Sequence, residues 1–337
     1  MQTLDLSEIV LSNSSELLAA DSSFTRLCPL LPFLTALYFI PDMFISNRAL
    51  AALECKDGIG ELRSLKGVKV SAPASHASAQ PLTGLTPGPD SLIRLLRNCP
   101  LLESLEIACV DPVGPDLESI IDLDLGSVRD EVDAALPPPL HLPDLKSLSL
   151  SAIPICALFL ALLRTSLPEL RHLAVTPYSG RHTAQLSALL AAHGRGLTSL
   201  RINTPHHLPT TIGDVPPLQV LISCPELHYL ALGRPLLPES LMLPAPAADG
   251  NGEPTHPHPL CVLTIPRPSA RFFGGVEAML PRLPTLAIVR VRTVRWLCAG
   301  VSRKALEAGV QGEMHEWRRR FARRGVRLVD GDWRDPE

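Results

Sequence analysis

Residues 99–107 read Cys99-Pro100-Leu101-Leu102-Glu103-Ser104-Leu105-Glu106-Ile107, and the spacing of Leu102, Leu105 and Ile107 decides the fold. The last two lie two residues apart. In an extended chain both side chains then point to one face, and the residues between and beside them point to the other. The spacing therefore predicts a short strand with one apolar face. The same phrase returns as Leu145, Leu148, Leu150, as Leu170, Leu173, Val175, as Leu197, Leu200, Ile202 and as Leu227, Leu230, Leu232. Looser copies are Leu260, Leu263, Ile265 and Leu286, Val289, Val291. Upstream, Met1, Leu4, Leu6 and Leu34, Leu37, Phe39 fit, while Leu62 and Leu65 form a degraded copy ending on Gly67. A unit this small cannot bury its apolar face alone, so the copies must stack, and stacked strands make a parallel sheet.

The return path of each repeat should be helical. Residues 91–98 place Leu92, Leu95 and Leu96 at helical spacing, and residues 157–164 do the same with Leu158, Leu162 and Leu163. Residues 183–193 are also predicted as helix, with Gly194 as the stop. Helix and strand are joined by proline turns: Asn98-Cys99-Pro100, Ser166-Leu167-Pro168, Ser223-Cys224-Pro225 and Arg282-Leu283-Pro284. Proline has no amide hydrogen and disfavours helix at the residue before it, so these turns end a helix ahead of the next strand. They account for much of a content of 34 prolines without invoking disorder. The period is uneven. The phrases from Leu145 onward start 25, 27, 30, 33 and 26 residues apart, and longer steps upstream imply insertions.

Three segments break the rhythm: 71–91, rich in Ser, Ala, Pro and Gly; 111–143, acidic with Asp111, Asp116, Glu118, Asp122, Asp124, Asp130, Glu131 and Asp133 against Arg129; and 234–259, the most disorder-like. Residues 302–324 are helical in pattern and basic, with Met314, Trp317 and Phe321 on one face. Gly325 should stop this helix, and Val326, Leu328 and Val329 should add a last strand, making a cap for the open end. The domain organisation expected is one irregular repeat domain over 1–300 and a C-terminal basic helix and cap over 301–337. At the other end the chain starts inside a repeat strand, which implies a shortened first repeat or a chain that continues upstream.

A length of 337 residues, 46% hydrophobic content and a net charge of −3 describe a chain that packs a core and has no global attraction to nucleic acid or membrane. Aromatic residues are only 4%, so leucine and alanine must supply the packing. None of the eight cysteines forms a C-x-x-C pair, and they read as small buried apolar residues. The start lacks a basic, apolar leader, and the apolar run from Leu27 to Ile45 is cut by Pro29, Pro32, Pro41 and Asp42. A monomer in the cytoplasm or nucleus, not secreted and not in a membrane, is expected.

No Walker loop, G-x-G-x-x-G, G-x-S-x-G or H-E-x-x-H phrase occurs. His256, His258 and Cys261 have ligand chemistry but match no zinc spacing, and the pair His206-His207 fares no better. No catalytic residue, metal or cofactor is expected. The chemistry should lie in the outward strand positions. They read Ser104, Glu106, Ala108; Ser147, Ser149, Ser151; His172, Ala174, Thr176; Ser199, Arg201, Asn203; Tyr229, Ala231, Gly233; and Ile288, Arg290, Arg292. Among them Glu106, His172, Arg201, Asn203, Tyr229, Arg290 and Arg292 are the candidate partner-binding residues, since tyrosine and arginine are enriched at binding hot spots.

Three stretches carry a family resemblance: Leu-Leu-Arg-Asn-Cys-Pro-Leu-Leu-Glu-Ser-Leu-Glu-Ile at 95–107, Leu-Pro-Asp-Leu-Lys-Ser-Leu-Ser-Leu at 142–150 and Ser-Cys-Pro-Glu-Leu-His-Tyr-Leu-Ala-Leu at 223–232. Together with the closing Glu-Trp-Arg-Arg-Arg-Phe-Ala-Arg-Arg-Gly-Val-Arg-Leu-Val, they resemble the leucine-rich-repeat region of fungal F-box/LRR proteins. The resemblance runs from about residue 25. The expected fold class is α/β, a leucine-rich-repeat solenoid: a ribonuclease-inhibitor-like horseshoe with a parallel concave sheet and helices on the convex side. The function it implies is a non-enzymatic module that binds a protein partner on the concave surface. The alternative is the substrate-recognition subunit of an SCF-type ubiquitin ligase whose F-box, the element that docks on the Skp adaptor and cullin, is missing or degenerate in this sequence. An F-box opens with a Leu-Pro-x-Glu-like phrase, and Leu6-Ser7-Glu8-Ile9 is the nearest stretch here.

Overall fold

The structure is a computed structural model. It describes residues 2–9, 13–40, 45–71, 89–110, 137–153, 156–176, 183–203, 219–233, 257–267, 270–296 and 309–335. The chain is α/β and divides into two compact units, Met1–Leu170 and Arg171–Glu337, the boundary falling inside one repeat phrase.

The first unit carries strands β1 (Gln2–Asp5), β2 (Leu34–Tyr38), β3 (Ser64–Ser71), β4 (Ser104–Val110) and β5 (Ser147–Ser151). Each pairs in parallel with its neighbour in sequence. Helices α1 (Ser14–Leu27), α2 (Asn47–Glu54), α3 (Pro89–Arg97) and α4 (Ala157–Arg164) also pack in order, each against the next. The phrase leucines are the core: Leu37, Leu62, Leu65, Leu102, Ile107 and Leu145 are fully buried. Each such side chain contributes about 2 kcal/mol by leaving water.

Two hydrogen-bond motifs recur in this unit. The N–H of the first phrase residue closes a turn onto the carbonyl three residues back: Leu34 to Leu31, Leu62 to Ile59, Leu102 to Cys99, Leu145 to Leu142 and Leu170 to Leu167. Four of these turns hold a proline: Pro32, Pro100, Pro143 and Pro168. Just ahead of the strand, one carbonyl takes two N–H groups from the next repeat. The Arg63 carbonyl accepts from Glu103 (2.7 Å) and Ser104 (2.9 Å), and the Glu103 carbonyl accepts from Lys146 (2.8 Å) and Ser147 (3.0 Å). These bonds leave few main-chain groups unpaired where strand and turn meet.

The phrase at Leu62 is complete rather than degraded. Leu65 pairs with Leu105, and Val68 pairs with Ile107. Gly67 sits in the register shift between them, with φ of +75°, in the left-handed region. A Cβ there would stand 2.9 Å from the Phe39 carbonyl oxygen. One inserted glycine makes a bulge, which hides the phrase from a fixed spacing.

The insertions are narrower than the sequence suggests. Ser71 closes β3 and Pro89–Ser91 open α3. Leu140 and Leu142 are buried ahead of β5, and the Leu140 N–H donates to Thr165 Oγ1 at 2.8 Å. Residues 72–88 and 111–136 lie outside the described residues. The apolar run from Leu27 forms the 3₁₀ turn Cys28–Leu30 and then β2. Among the described residues no helix is long and apolar enough to cross a membrane.

The second unit carries β6 (His172–Thr176), β7 (Ser199–Ile202), β8 (Tyr229–Leu232), β9 (Val262–Ile265), β10 (Ile288–Val291) and β11 (Arg327–Val329), again parallel and in sequence order. Its helices are α5 (Thr183–His193), α6 (Val220–Ser223), α7 (Ala270–Met279) and α8 (Gly309–Ala322). The paired donation continues. The carbonyls of Arg171, Thr198, His228 and Cys261 each accept two N–H groups from the following repeat. Gly194 does not end α5 in a left-handed cap. It opens the 3₁₀ turn Gly194–Gly196, and a Cβ on it would stand 2.3 Å from the Ser223 carbonyl oxygen. Close approach of the next repeat, not backbone handedness, requires glycine there.

From residue 309 on, a helix and a last strand form where the sequence expects them. Met314, Trp317 and Phe321 are buried, and Phe273 of α7 meets Trp317 and Phe321 at ring separations of 5.1 and 5.5 Å. Gly325, with φ of +76°, turns the chain from α8 into β11. The buried Asp330 then ties the last turn: its Oδ1 accepts from the N–H groups of Asp332 (2.9 Å) and Arg334 (2.8 Å), and its Oδ2 accepts from that of Trp296 (3.0 Å).

Candidate interaction surface

Strand registers align the outward side chains into rows. In the first unit one row runs Asp5, Tyr38, Lys66 across β1 to β3, and Glu106 stands beside Ser149 across β4 and β5. The Lys66 ammonium lies 5.3 Å from the Tyr38 ring centroid. Glu106 is exposed. This face is mixed in charge. At its edge Glu103 takes hydrogen bonds from Lys146 and Arg63, both at 2.8 Å, and these hold its carboxyl below the usual range.

In the second unit the first row runs His172, Ser199, Tyr229, Val262, Ile288, and the next runs Ala174, Arg201, Ala231, Thr264, Arg290. Asn203, Gly233 and Arg292 follow just past the ends of their strands. No Asp or Glu occupies any of these positions. His172, Arg201 and Arg292 are exposed. The side chains of Arg201 and Arg292 make no ion pair or hydrogen bond among the described residues. Asn203 is half-buried, with its amide donating to Thr176 Oγ1 at 3.4 Å.

The simple alternation of buried and outward positions breaks in the middle of this face. Ala231 and Thr264 are buried at outward positions, so β8 and β9 are closed on both faces. The Thr264 hydroxyl donates to the Tyr229 phenolic oxygen at 3.4 Å, and Tyr229 is half-buried. Small buried residues therefore separate Arg201 on one side from Arg290 on the other.

Arg290 differs from the other two arginines. Its guanidinium donates to the Gly331 carbonyl and stacks on the Trp333 ring at 4.4 Å. The cap holds it in place. Trp333 itself is 46% exposed, which puts a half-open indole at the β10 side of the face. Sequence reasoning missed Trp333 because it lies outside any repeat phrase and reaches β10 only through the turn built on Asp330. Three basic residues of the C-terminal segment are likewise occupied: Arg320 pairs with Glu277, and Arg318 and Arg327 hold the Asp335 carboxylate at 3.0 and 3.2 Å.

His258 has both ring nitrogens in use, Nε2 on the Cys224 carbonyl at 3.0 Å and Nδ1 on the Leu260 N–H at 3.2 Å. Cys261 donates to the Pro259 carbonyl, and His256 and His206-His207 lie outside the described residues. Among the described residues no group of three His, Cys, Asp or Glu is placed to hold a metal ion. Burial raises the thiols of Cys28, Cys99 and Cys224 to about 12. Cys55 is exposed, unlike the buried reading of its type, because it caps the C-terminal end of α2 at the surface.

Compared with known families and with curated proteins, the chain matches no family model and no curated sequence.

Proposed function

We propose that the chain is a leucine-rich-repeat protein whose second unit binds a protein partner on the outward strand face, without catalysing a reaction. The observation that carries this reading is the arrangement of Arg201, Tyr229, Arg292 and Trp333 around a floor of small buried residues. Arginine, tyrosine and tryptophan are the residue types that dominate binding energy. Arg201 and Tyr229 project from strands whose backbones are stitched on both sides, and Arg292 follows β10 directly, so this part of the surface is preorganised. The repeat phrase, the parallel strands in sequence order and the recurrent turn ahead of each strand support the leucine-rich-repeat assignment.

A second reading is the substrate-recognition subunit of an SCF-type ubiquitin ligase. One observation favours it: Leu18 of α1, Leu30 of the following turn and Phe33 are 58%, 72% and 67% exposed. Apolar side chains this open, close together in sequence, suit an adaptor contact in the first unit.

The test is recovery of partners on the tagged full chain and on its Arg201→Ala/Tyr229→Ala variant. A protein held by the first and lost by the second supports the proposal. Skp adaptor and cullin recovered equally with both, and lost on Leu30→Asp/Phe33→Asp, select the second reading. Identical recovery by all three chains contradicts both.

A further inference from the structure

Independently of that reading, we infer that the chain pairs with a second copy of itself, the two sheets meeting edge to edge at β1 and the two α1 helices side by side, in place of the monomer expected from the sequence. Among the described residues β1 has a strand neighbour on one side only. Main-chain groups along a strand point alternately to its two sides. The Gln2 and Leu6 N–H groups donate to the carbonyls of Phe33 and Tyr38, at 3.1 and 2.9 Å, so the N–H and carbonyl groups of Thr3 and Asp5 face the open edge. Gln2, Thr3 and Asp5 are exposed. An edge of this kind is a template for another strand.

The helix beside this edge says what covers it. Asp21 of α1 points at α2: its Oδ1 accepts the Ser46 N–H at 2.9 Å, its Oδ2 accepts the Ser46 hydroxyl at 2.6 Å, and Ser46 caps α2. A helix turns by about 100° per residue, so Glu16, Ala19, Ser23 and Arg26 lie within about 40° of the opposite direction, away from α2. All four are exposed. This face carries an anion near one end, a cation near the other and small residues between. It therefore complements itself when turned end for end, as a two-fold interface requires. An axis level with Leu4 and Asp21 sets β1 and α1 each antiparallel to its mate. Thr3 then stands opposite Asp5 of the second copy, and each such pair exchanges two main-chain hydrogen bonds. Glu16 of each copy meets Arg26 of the other. Sliding the strands until the two Asp5 residues meet would set like charges face to face, which disfavours that register.

The test is sedimentation velocity on the full chain and on its Glu16→Arg and Arg26→Glu variants. The parent should show a monomer–dimer equilibrium that weakens with added salt. Each single reversal places like charges opposite each other twice per dimer and should weaken pairing at least about tenfold. An equimolar mixture of the two variants restores both opposite-charge pairs and should dimerise again. Thr3→Pro removes an N–H that faces the open edge, a place where a strand tolerates proline. It should also weaken pairing, with an unchanged melting temperature at a dilution where the parent is monomeric. The inference is overturned by a parent that stays monomeric up to about 1 mM, the weak end of recognition, by a dimer that the single reversals or Thr3→Pro leave intact, or by a mixture that pairs no better than either variant alone. These variants leave Arg201, Tyr229, Leu30 and Phe33 in place, so either reading of the partner stands or falls by its own test.

Discussion

The imidazole Nδ1 of His258 accepts the main-chain N–H of Leu260 at 3.2 Å, standing in for the carbonyl that closes the same turn at Leu197, Leu227 and Leu286. Its Nε2 reaches back to the Cys224 carbonyl at 3.0 Å, joining two successive turns. The ring must be neutral to accept and donate in this way. Burial pushes its pKa below the ordinary histidine value, against the opposing pull of its bonds to the Cys224 and Leu221 backbone, and His228 lowers it further.

That geometry makes stability depend on pH. The folded-state pKa is depressed, so the unfolded chain takes up the proton first. Stability is full at neutral pH, begins to fall as pH drops through about 6.5, and keeps falling toward the folded-state value. His315, lowered by burial and by Arg318 and Arg319, adds a slope of the same sign. His258→Ala should lower stability by about 1–3 kcal/mol, because it strands the buried Leu260 N–H and takes one of the two bonds from the Cys224 carbonyl, and should flatten the acid slope to the His315 share. Urea melts from neutral to mildly acidic pH measure both. A slope unchanged in the variant would refute this role.

Gly67 gives a sharper test of register. Gly67→Ala puts a Cβ 2.9 Å from the Phe39 carbonyl at a left-handed φ and should destabilise by about 1–2 kcal/mol. Deleting Gly67 instead brings Leu65 and Val68 to the spacing of Leu105 and Ile107. The deletion should melt no lower than Gly67→Ala, with the ladder to β4 kept. A deletion more damaging than the alanine would contradict the bulge assignment.

Two arginines on one face should behave differently. Arg290→Ala removes the Gly331 contact and the Trp333 stack, and should lower stability by about 1 kcal/mol while shifting tryptophan emission to the red. Arg201→Ala touches nothing in the fold and should stay within about 0.5 kcal/mol of the parent. Equal melting curves for the two variants would dissolve the distinction between a structural arginine and a contact arginine.

The cysteines should label in an order set by burial. Cys55 is exposed and should react with iodoacetamide first. Cys28, Cys99 and Cys224 are buried, with their thiols at about 12, and should resist until the chain unfolds. Rapid labelling of Cys99 in the folded chain, read by peptide mass, would contradict the packing at its turn, where its thiol donates to the Leu95 carbonyl.

The strands, α4 and α5 were legible because leucine spacing and helical spacing are local signals. Residues 157–164 and 183–193 are helical over the spans that their apolar periodicity predicts. The bulge at Gly67 was not legible, because one inserted residue breaks a fixed period without breaking the pairing. The outward positions of His172, Arg201 and Arg292 follow from alternation alone. The burial of Ala231 and Thr264, the capture of Arg290 by Gly331 and Trp333, and the double use of the His258 ring are tertiary facts. Nothing in a strand's own pattern announces a neighbour that arrives from more than thirty residues away.

The central claim is that the second unit's outward face is where a partner binds. The most direct measurement is the calorimetric affinity of the recovered partner for the full chain and for Arg201→Ala/Tyr229→Ala, with melting temperatures taken on the same samples. The account predicts at least about a tenfold loss of affinity, in keeping with truncated hot spots, in a chain that stays folded at the measuring temperature although the half-buried Tyr229 gives up its contact with Thr264. Equal affinity for the two chains would place the binding surface elsewhere and contradict it.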